Sequence, residues 1–317
     1  MSFFDSCFKL YKSSPSTYID FLIKYLEDEL KYCNSNPNLY SETTKSHACF
    51  LLENLNKITQ NIPKDVQTYK KRDMKYNDFV EAYRLAKYQY SKYSQLQKSL
   101  TEGVYSTIVL EILKHKPNDG SLMKFLDCGC GPSRTVFELS DLYKNAEFTL
   151  LDFSLINLYF AYTLISSGNK LSIPTRNFTP GNDCFLLDIA GKKQDNVHYH
   201  VFNMDEFTPE IFDTKFDVIT SVHSVNLLSN PLQTIERMTQ ALNPGGILVI
   251  SDLLGWKENR DNGRRIFSCA ESMKNELQNI SGTTLVHYEQ GGPYCEWMND
   301  ERYDVYTNHL FILVKDK

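Results

Sequence analysis

No stretch of this sequence stays apolar over the roughly 18 residues that a membrane span demands. The opening MSFFDSCFKLYK also lacks the pattern of a secretory signal. A cytoplasmic protein with no membrane partner is therefore expected. A basic excess is missing as well, since 34 Lys and Arg face 39 Asp and Glu, a formal net charge of −5. Nucleic-acid substrates usually call for a basic face, so no nucleic-acid partner is expected. The short basic run YKKRDMK at 69–75 reads as a solvated helix entrance. Metal-ligand spacing is absent from the eight cysteines, Cys7, Cys33, Cys49, Cys128, Cys130, Cys184, Cys269 and Cys295. Zinc sites usually pair cysteines two to four residues apart, with a second pair downstream. Cys128-x-Cys130 does not do so; reduced thiols and no metal are expected. There is no internal repeat and no low-complexity tract.

What is present falls into two regions. Residues 1–100 read as helical, with apolar residues at three- and four-residue spacing in YIDFLIKYLEDELKYC (18–33), SHACFLLENLNKITQNI (46–62) and FVEAYRLAKYQYSKYSQLQKSL (79–100). This region suits a lid or a dimerisation surface equally. Residues 101–317 alternate strands with helices, the signature of a mostly parallel sheet. Strands are expected at 125–126, 148–151, 197–202, 216–222, 246–253, 283–289 and 305–314. The last two close the sheet as a hairpin-like pair. The Asn-, Pro- and Lys-rich stretch 168–196 reads as a surface loop or small insertion. The fold expected is a Rossmann-like, seven-stranded, mostly parallel α/β sheet with an antiparallel last strand.

The chemistry begins at Lys124–Ser133, KFLDCGCGPS. An apolar strand end is followed by a turn at Gly129 and Gly131 that brings backbone close to a ligand, and TVFELSDLY then continues at helical spacing. Pro132 and Ser133 are expected to open that helix. A second strand ends at Asp152, roughly twenty residues on, where a doubly wound fold places a carboxylate against ribose hydroxyls. A dinucleotide site wants a third glycine, and Arg134 stands there instead. Asp127 before the first glycine would repel a diphosphate and suits a ligand bearing an ammonium group.

These residues resemble the class I S-adenosylmethionine-dependent methyltransferases, whose first motif is an acidic residue followed by G-x-G. The resemblance implies S-adenosyl-L-methionine as cofactor, with Asp127, Gly129 and Gly131 around the methionine moiety and Asp152 on the ribose. FDVITSV, a helix and then LNPGGILVISD follow the family's later order. The resemblance implies that Asp205, in Asn203-Met204-Asp205, lies near the adenine amino group with Met204 on the ring. A helix N-cap is the other reading of Asp205.

Cys130-Gly131-Pro132-Ser133 with Asp152-Phe153-Ser154-x-x-Asn157 is similar to the nicotinamide, phenylethanolamine and indolethylamine N-methyltransferases. SRTVFELS, DFS and NPGGILVISDLLGW are similar to the mercaptohistidine and carnosine N-methyltransferases. Both resemblances imply methylation of a small-molecule nitrogen. Cofactor contacts are then expected from Tyr90, Asp127, Gly129, Gly131, Asp152, Phe153, Asn157, Asn203, Met204, Asp205 and Ser221. Tyr90 and Tyr93 belong to a tyrosine-rich segment with Tyr83 and Tyr88 that lids the site in the small-amine enzymes. Packed helix tyrosines are the alternative.

His223, after the fourth strand, reads as a general base or as a structural histidine. Tyr93 is the second catalytic candidate. GGPYCEWMNDERYDVY, read as a loop, offers Tyr294, Glu296, Trp297 and Tyr303 to a cationic product, or else forms an exposed charged hairpin. His223-Ser224-Val225-Asn226 departs from the N-P-P-Y of nucleobase and glutamine methyltransferases. No Asp, Asp, Asn cluster supports a magnesium-dependent catechol-type enzyme. The functional expectation is N-methylation of an amine, imidazole or N-heterocycle by a monomer or homodimer. A small-molecule O-methyltransferase and a non-catalytic partner subunit are the alternatives.

Overall fold

The computed structural model describes residues 95–176, 184–254, 269–299 and 302–317, with a few separate positions between 27 and 90. Most of the helical runs expected over residues 18–100 lie outside the described residues, as do Tyr83, Tyr88 and Tyr93.

Helix α1, Gln95–His115, places Val104, Ile108 and Ile112 on one buried stripe at four-residue spacing. It leads to β1 (Met123–Cys128), α2 (Arg134–Leu142), β2 (Ala146–Asp152) and α3 (Leu155–Ile165). After an antiparallel pair, β3 (Leu171–Arg176) and β4 (Cys184–Ile189), come β5 (Val197–Val201) and β6 (Phe216–Val222). The chain closes with α4 (Pro231–Gln240), β7 (Leu242–Asp252), α5 (Ala270–Gln278), β8 (Thr283–Asn299) and β9 (Arg302–Lys315).

The main sheet has seven strands in the order β5-β2-β1-β6-β7-β9-β8. All neighbours through β7 are parallel, and β9 runs antiparallel between β7 and β8. That is the expected Rossmann-like fold. Side chains alternate across the sheet, so Phe125, Leu150, Val218 and Val249 feed one core while Leu126, Leu151, Ile219 and Ile250 feed the other. Both faces are covered, which is why the strands read as continuous apolar runs.

One local expectation is resolved and two change. The stretch read as a surface loop or small insertion, 168–196, is the latter: it contains the β3–β4 hairpin as a sheet of its own, in which Leu171 is buried. The segment read as a loop between the last two strands is strand almost throughout, because β8 continues to Asn299 opposite β9. Register shifts between Gln290 and Pro293, around Gly291 and Gly292, disguise it as a turn. Pro132 and Ser133 lie outside the helix they were expected to open; α2 starts at Arg134 after Ser133 in a left-handed conformation, φ 56°.

Strand order reverses between β1 and β6. In a doubly wound sheet that reversal opens a crevice at the carboxyl ends of the strands. The turn after β1 and the loop after β6 meet there.

Candidate active site

Left-handed backbone builds the first wall. Gly129 has φ 64° and Gly131 φ 56°, values that glycine adopts without steric cost. A Cβ on Gly129 would stand 2.5 Å from Ser224 Cβ, so the loop after β6 is pressed onto this turn. The Ser224 hydroxyl donates to the Cys128 carbonyl at 2.9 Å and lies 2.6 Å from the Ser221 hydroxyl. Ser221 is wholly buried and braces the turn from behind.

Asp127 sits beneath the turn at 2% exposure. It accepts hydrogen bonds from Ser133 Oγ (2.8 Å) and Thr220 Oγ1 (2.7 Å). Burial pushes its carboxyl up to about 6, against the lowering effect of those two hydroxyls. The bond from Ser133 also accounts for that residue's uncommon positive φ, because it draws the side chain back over the turn. Tyr90 closes the other side. Its hydroxyl donates to the Pro132 carbonyl at 3.0 Å, its ring packs edge-on to Phe137, and the Arg134 guanidinium lies 5.2 Å from its centroid. Cys128 and Cys130 are buried, which pushes both thiols up and leaves them inert packing.

At the end of β2, Asp152 takes three donors. Oδ2 accepts from the Gly131 amide (2.8 Å), and Oδ1 from the Ser154 amide (2.7 Å) and Asn157 Nδ2 (3.1 Å). Burial raises its pKa while these bonds lower it. A carboxylate has about four acceptor directions, so one remains on Oδ2. Asn157 Oδ1 is buried with no hydrogen-bond partner among the described residues. Ser154 caps α3 by accepting from the Asn157 amide and holds that side chain beside Asp152. Phe153 is half-buried between them in sequence.

After β5, Asn203 Oδ1 caps a short 3-10 turn, Met204–Glu206, by accepting from the Asp205 amide. The cap is thus Asn203, and Asp205 instead accepts from the Ser229 amide (2.7 Å) and hydroxyl (3.0 Å). Met204 is buried.

His223 follows β6 with φ 52°, a left-handed value for a non-glycine residue. Its amide donates to the Ser251 carbonyl at 2.7 Å. Nε2 lies 3.0 Å from Asn308 Oδ1, and the ring packs 4.0 Å from that of Tyr294. Burial pushes its pKa down to about 4, so the imidazole is neutral at physiological pH. Tyr294, 1% exposed, meets the hydroxyl of Tyr105 on α1. Asp252, fully buried, accepts from the Asn226 and Leu254 amides, and burial raises it to about 6.

The structure therefore gathers Tyr90, Asp127, Gly129, Gly131, Asp152 and Asn157 around one turn, with His223 and Tyr294 beside it. Asp205 and Met204 line the neighbouring end of β5. Glu296, Trp297 and Tyr303 lie on β8 and β9, with Trp297 paired to Tyr303 by backbone register. Tyr93 lies outside the described residues. Sequence reasoning missed Tyr105, Ser224, Ser251, Asp252 and Asn308. Only Ser251 and Asp252 carry a local signal, as the polar end of the apolar strand GILVISD.

Solved structures similar in shape include the N-methyltransferase NodS from Bradyrhizobium japonicum WM9 in complex with S-adenosyl-L-homocysteine. It shares 14% identity over 74% of this chain and 99% of that one, with a TM-score of 0.43. The plantazolicin methyltransferase BpumL matches at 12% identity, 76% and 97% coverage and a TM-score of 0.44. A Haloferax volcanii complex of the Trm112 methyltransferase activator with a putative methyltransferase matches at 15% identity, 77% and 98% coverage and 0.46. A search of curated proteins finds no significant match. The family model for the methyltransferase domain matches residues 98–304, well over half the chain and all of the site just described except Tyr90 and Asn308. The chain belongs to the methyltransferase-domain family.

Proposed function

We propose that this protein transfers the methyl group of S-adenosyl-L-methionine to a nitrogen of a small molecule, an amine, imidazole or N-heterocycle. The observation that carries the cofactor reading is the pair at the end of β2. Asp152 Oδ2 has one acceptor direction left, and Asn157 Oδ1 is buried and unpartnered. Two acceptors side by side fit the two hydroxyls of a ribose. The left-handed turn at Gly129 and Gly131 suits close approach of backbone to the methionine moiety. Asp127 holds the turn and lends its charge to the ligand's ammonium, and Met204 and Asp205 suit the adenine.

When bound, the cofactor supplies a methyl group on a cationic sulfur, already a strong electrophile. The protein's work is alignment, exclusion of water and removal of a proton. His223 is neutral and weakly basic. A phenol is a weak nucleophile until it is deprotonated, whereas a neutral amine or imidazole already carries its lone pair and loses its proton after attack. That favours nitrogen over oxygen. Tyr294 supplies an aromatic face to the cation formed, and Glu296, Trp297 and Tyr303 extend the same hairpin.

We assign residues 1–100 as a helical region that precedes the 101–317 domain, with α1 running across the boundary between them. Tyr90 favours a lid, since it already touches the glycine turn. Among the described residues no helix is long and apolar enough to cross a membrane.

Calorimetry with S-adenosylmethionine tests the cofactor site, and Asp152→Ala is expected to lower the affinity at least about tenfold. An unchanged affinity removes the site. A methyl-transfer screen over histidine derivatives, pyridines, arylalkylamines and phenols tests the acceptor, and turnover of phenols alone refutes the nitrogen reading.

A further inference from the structure

We propose that Asn308 is a positioning residue for methyl transfer. Its side-chain oxygen holds His223 in the Nε2–H form, so that Nδ1 carries the lone pair that takes the acceptor's proton. The inference rests on the reading of His223 as the base.

Asn308 lies on β9, two residues before Leu310, which pairs with Ser251 of β7. It is 3% exposed. Two groups converge on its Oδ1: His223 Nε2 at 3.0 Å and Ser251 Oγ at 2.8 Å. An amide oxygen only accepts, so the imidazole must donate through Nε2, and Nδ1 is left as the acceptor of the ring. Ser251 grips the same histidine a second time, because its carbonyl accepts the His223 amide at 2.7 Å. This triangle of His223, Ser251 and Asn308 fixes both the ring and the left-handed backbone beneath it. A non-glycine residue persists at such a φ only when its surroundings over-determine it. Here they do so while leaving the other ring nitrogen, Nδ1, without a hydrogen-bond partner among the described residues.

The groups facing the imidazole are Tyr294 from β8, Asn308 from β9 and Ser251 from β7, with Tyr105 of α1 behind Tyr294. The neighbouring carboxylate of Asp252 is turned to the Asn226 and Leu254 amides. Among the described residues the ring has no charged hydrogen-bond partner. In the step itself, the acceptor nitrogen gives its lone pair to the methyl carbon, and the carbon–sulfur bond breaks with its electron pair passing to sulfur. The N–H proton of the resulting cation moves to His223 Nδ1, and the imidazolium keeps its Nε2–H bond to Asn308.

The test begins on cofactor-free protein labelled with nitrogen-15. The long-range proton–nitrogen correlations of His223 are expected to report a neutral ring protonated at Nε2. Asn308→Asp keeps the acceptor and adds a charge. It should retain the tautomer, raise the ring's titration by about one pH unit or more, and move the acidic limb of the pH–rate profile with it. Asn308→Leu should lose the single tautomer and lower kcat about tenfold or more, with the KM for S-adenosylmethionine unchanged. A purely structural role for Asn308 moves neither the tautomer nor the acidic limb. An Nδ1–H ring in the parent protein, or an Asn308→Asp titration identical to the parent's, overturns the proposal. Should Asn308→Leu fail to fold, the parent and Asn308→Asp decide it alone. If the parent methylates no acceptor, the functional reading falls, while the tautomer measurement still judges the role of Asn308.

Discussion

Gly129→Ala offers a quantitative probe of the contact between the glycine turn and the loop after β6. Two costs apply. The backbone stands at φ 64°, and a left-handed conformation costs a side-chain-bearing residue about 1–2 kcal/mol. The new Cβ would also lie 2.5 Å from Ser224 Cβ and 2.7 Å from its Oγ. Carbon atoms normally approach to about 3.5–4.0 Å, so about an ångström must be found. Ser224 cannot simply rotate away, since its hydroxyl bonds the Cys128 carbonyl and Ser221. Overpacking of this kind costs about 1–3 kcal/mol, and the sum is about 2–5 kcal/mol.

Gly120→Ala isolates the first cost, because Gly120 has φ 85° and an added Cβ meets nothing within 4 Å. Ser224→Gly removes the clashing atoms and leaves only Ser224 Cα, at 3.9 Å. Denaturant midpoints of Gly129→Ala, Ser224→Gly and the double variant complete a cycle whose coupling should be about 1–3 kcal/mol in favour of the double variant. Strict additivity, or a Gly129→Ala cost no greater than that of Gly120→Ala, refutes the contact.

Other predictions concern charge and chemistry. Burial holds Asp127 at about 6, above an unfolded carboxyl near about 3.9. The native state therefore binds more protons between those values, and stability falls as pH rises through that window. Asp127→Asn should gain on the parent by up to about 3 kcal/mol across it; a flat difference in urea titrations contradicts the burial argument. His223 has the opposite sign. Its native pKa of about 4 lies below an unfolded value near about 6.5, so stability is lost as pH falls through that range. His223→Asn, a residue that enters the left-handed region readily, should stay within about 1 kcal/mol of the parent and keep cofactor affinity, yet lose methyl transfer about tenfold or more. Preserved turnover removes the histidine from the chemistry. Asn157→Ala should weaken S-adenosylmethionine by about 1–2 kcal/mol in calorimetry; no change would mean that its buried oxygen meets no ribose.

Much of the ligand end was legible because its signals are local. Gly129, Gly131 and Asp152 each sit at a strand end, where an apolar run stops and a special residue begins. The acceptor end was not. Asn308 is ordinary within VYTNHLFILV, and only the insertion of β9 between β7 and β8 sets it beside Ser251 and His223. Tyr294 looked like a loop residue because Gly291, Gly292 and Pro293 mimic a turn where the strand merely shifts register. Ser133 showed the limit of the proline rule. Its bond to buried Asp127 outweighs helical geometry and delays α2 by two residues.

The place of β9 in the sheet has a consequence for how the molecule is assembled. Among the described strands β8 joins the sheet only through β9, although β9 comes later in the chain. While a growing chain ends short of β9, every strand that forms the ligand turn is already made, but β7 presents a bare edge and β8 has nothing to pair with. Such an edge is a template for wrong partners, and non-local pairing of this kind is slow. Tyr294 and Asn308 reach His223 only when that slot fills. A C-terminally clipped chain is therefore expected to keep the turn after β1 without the contacts of Tyr294 and Asn308 to His223.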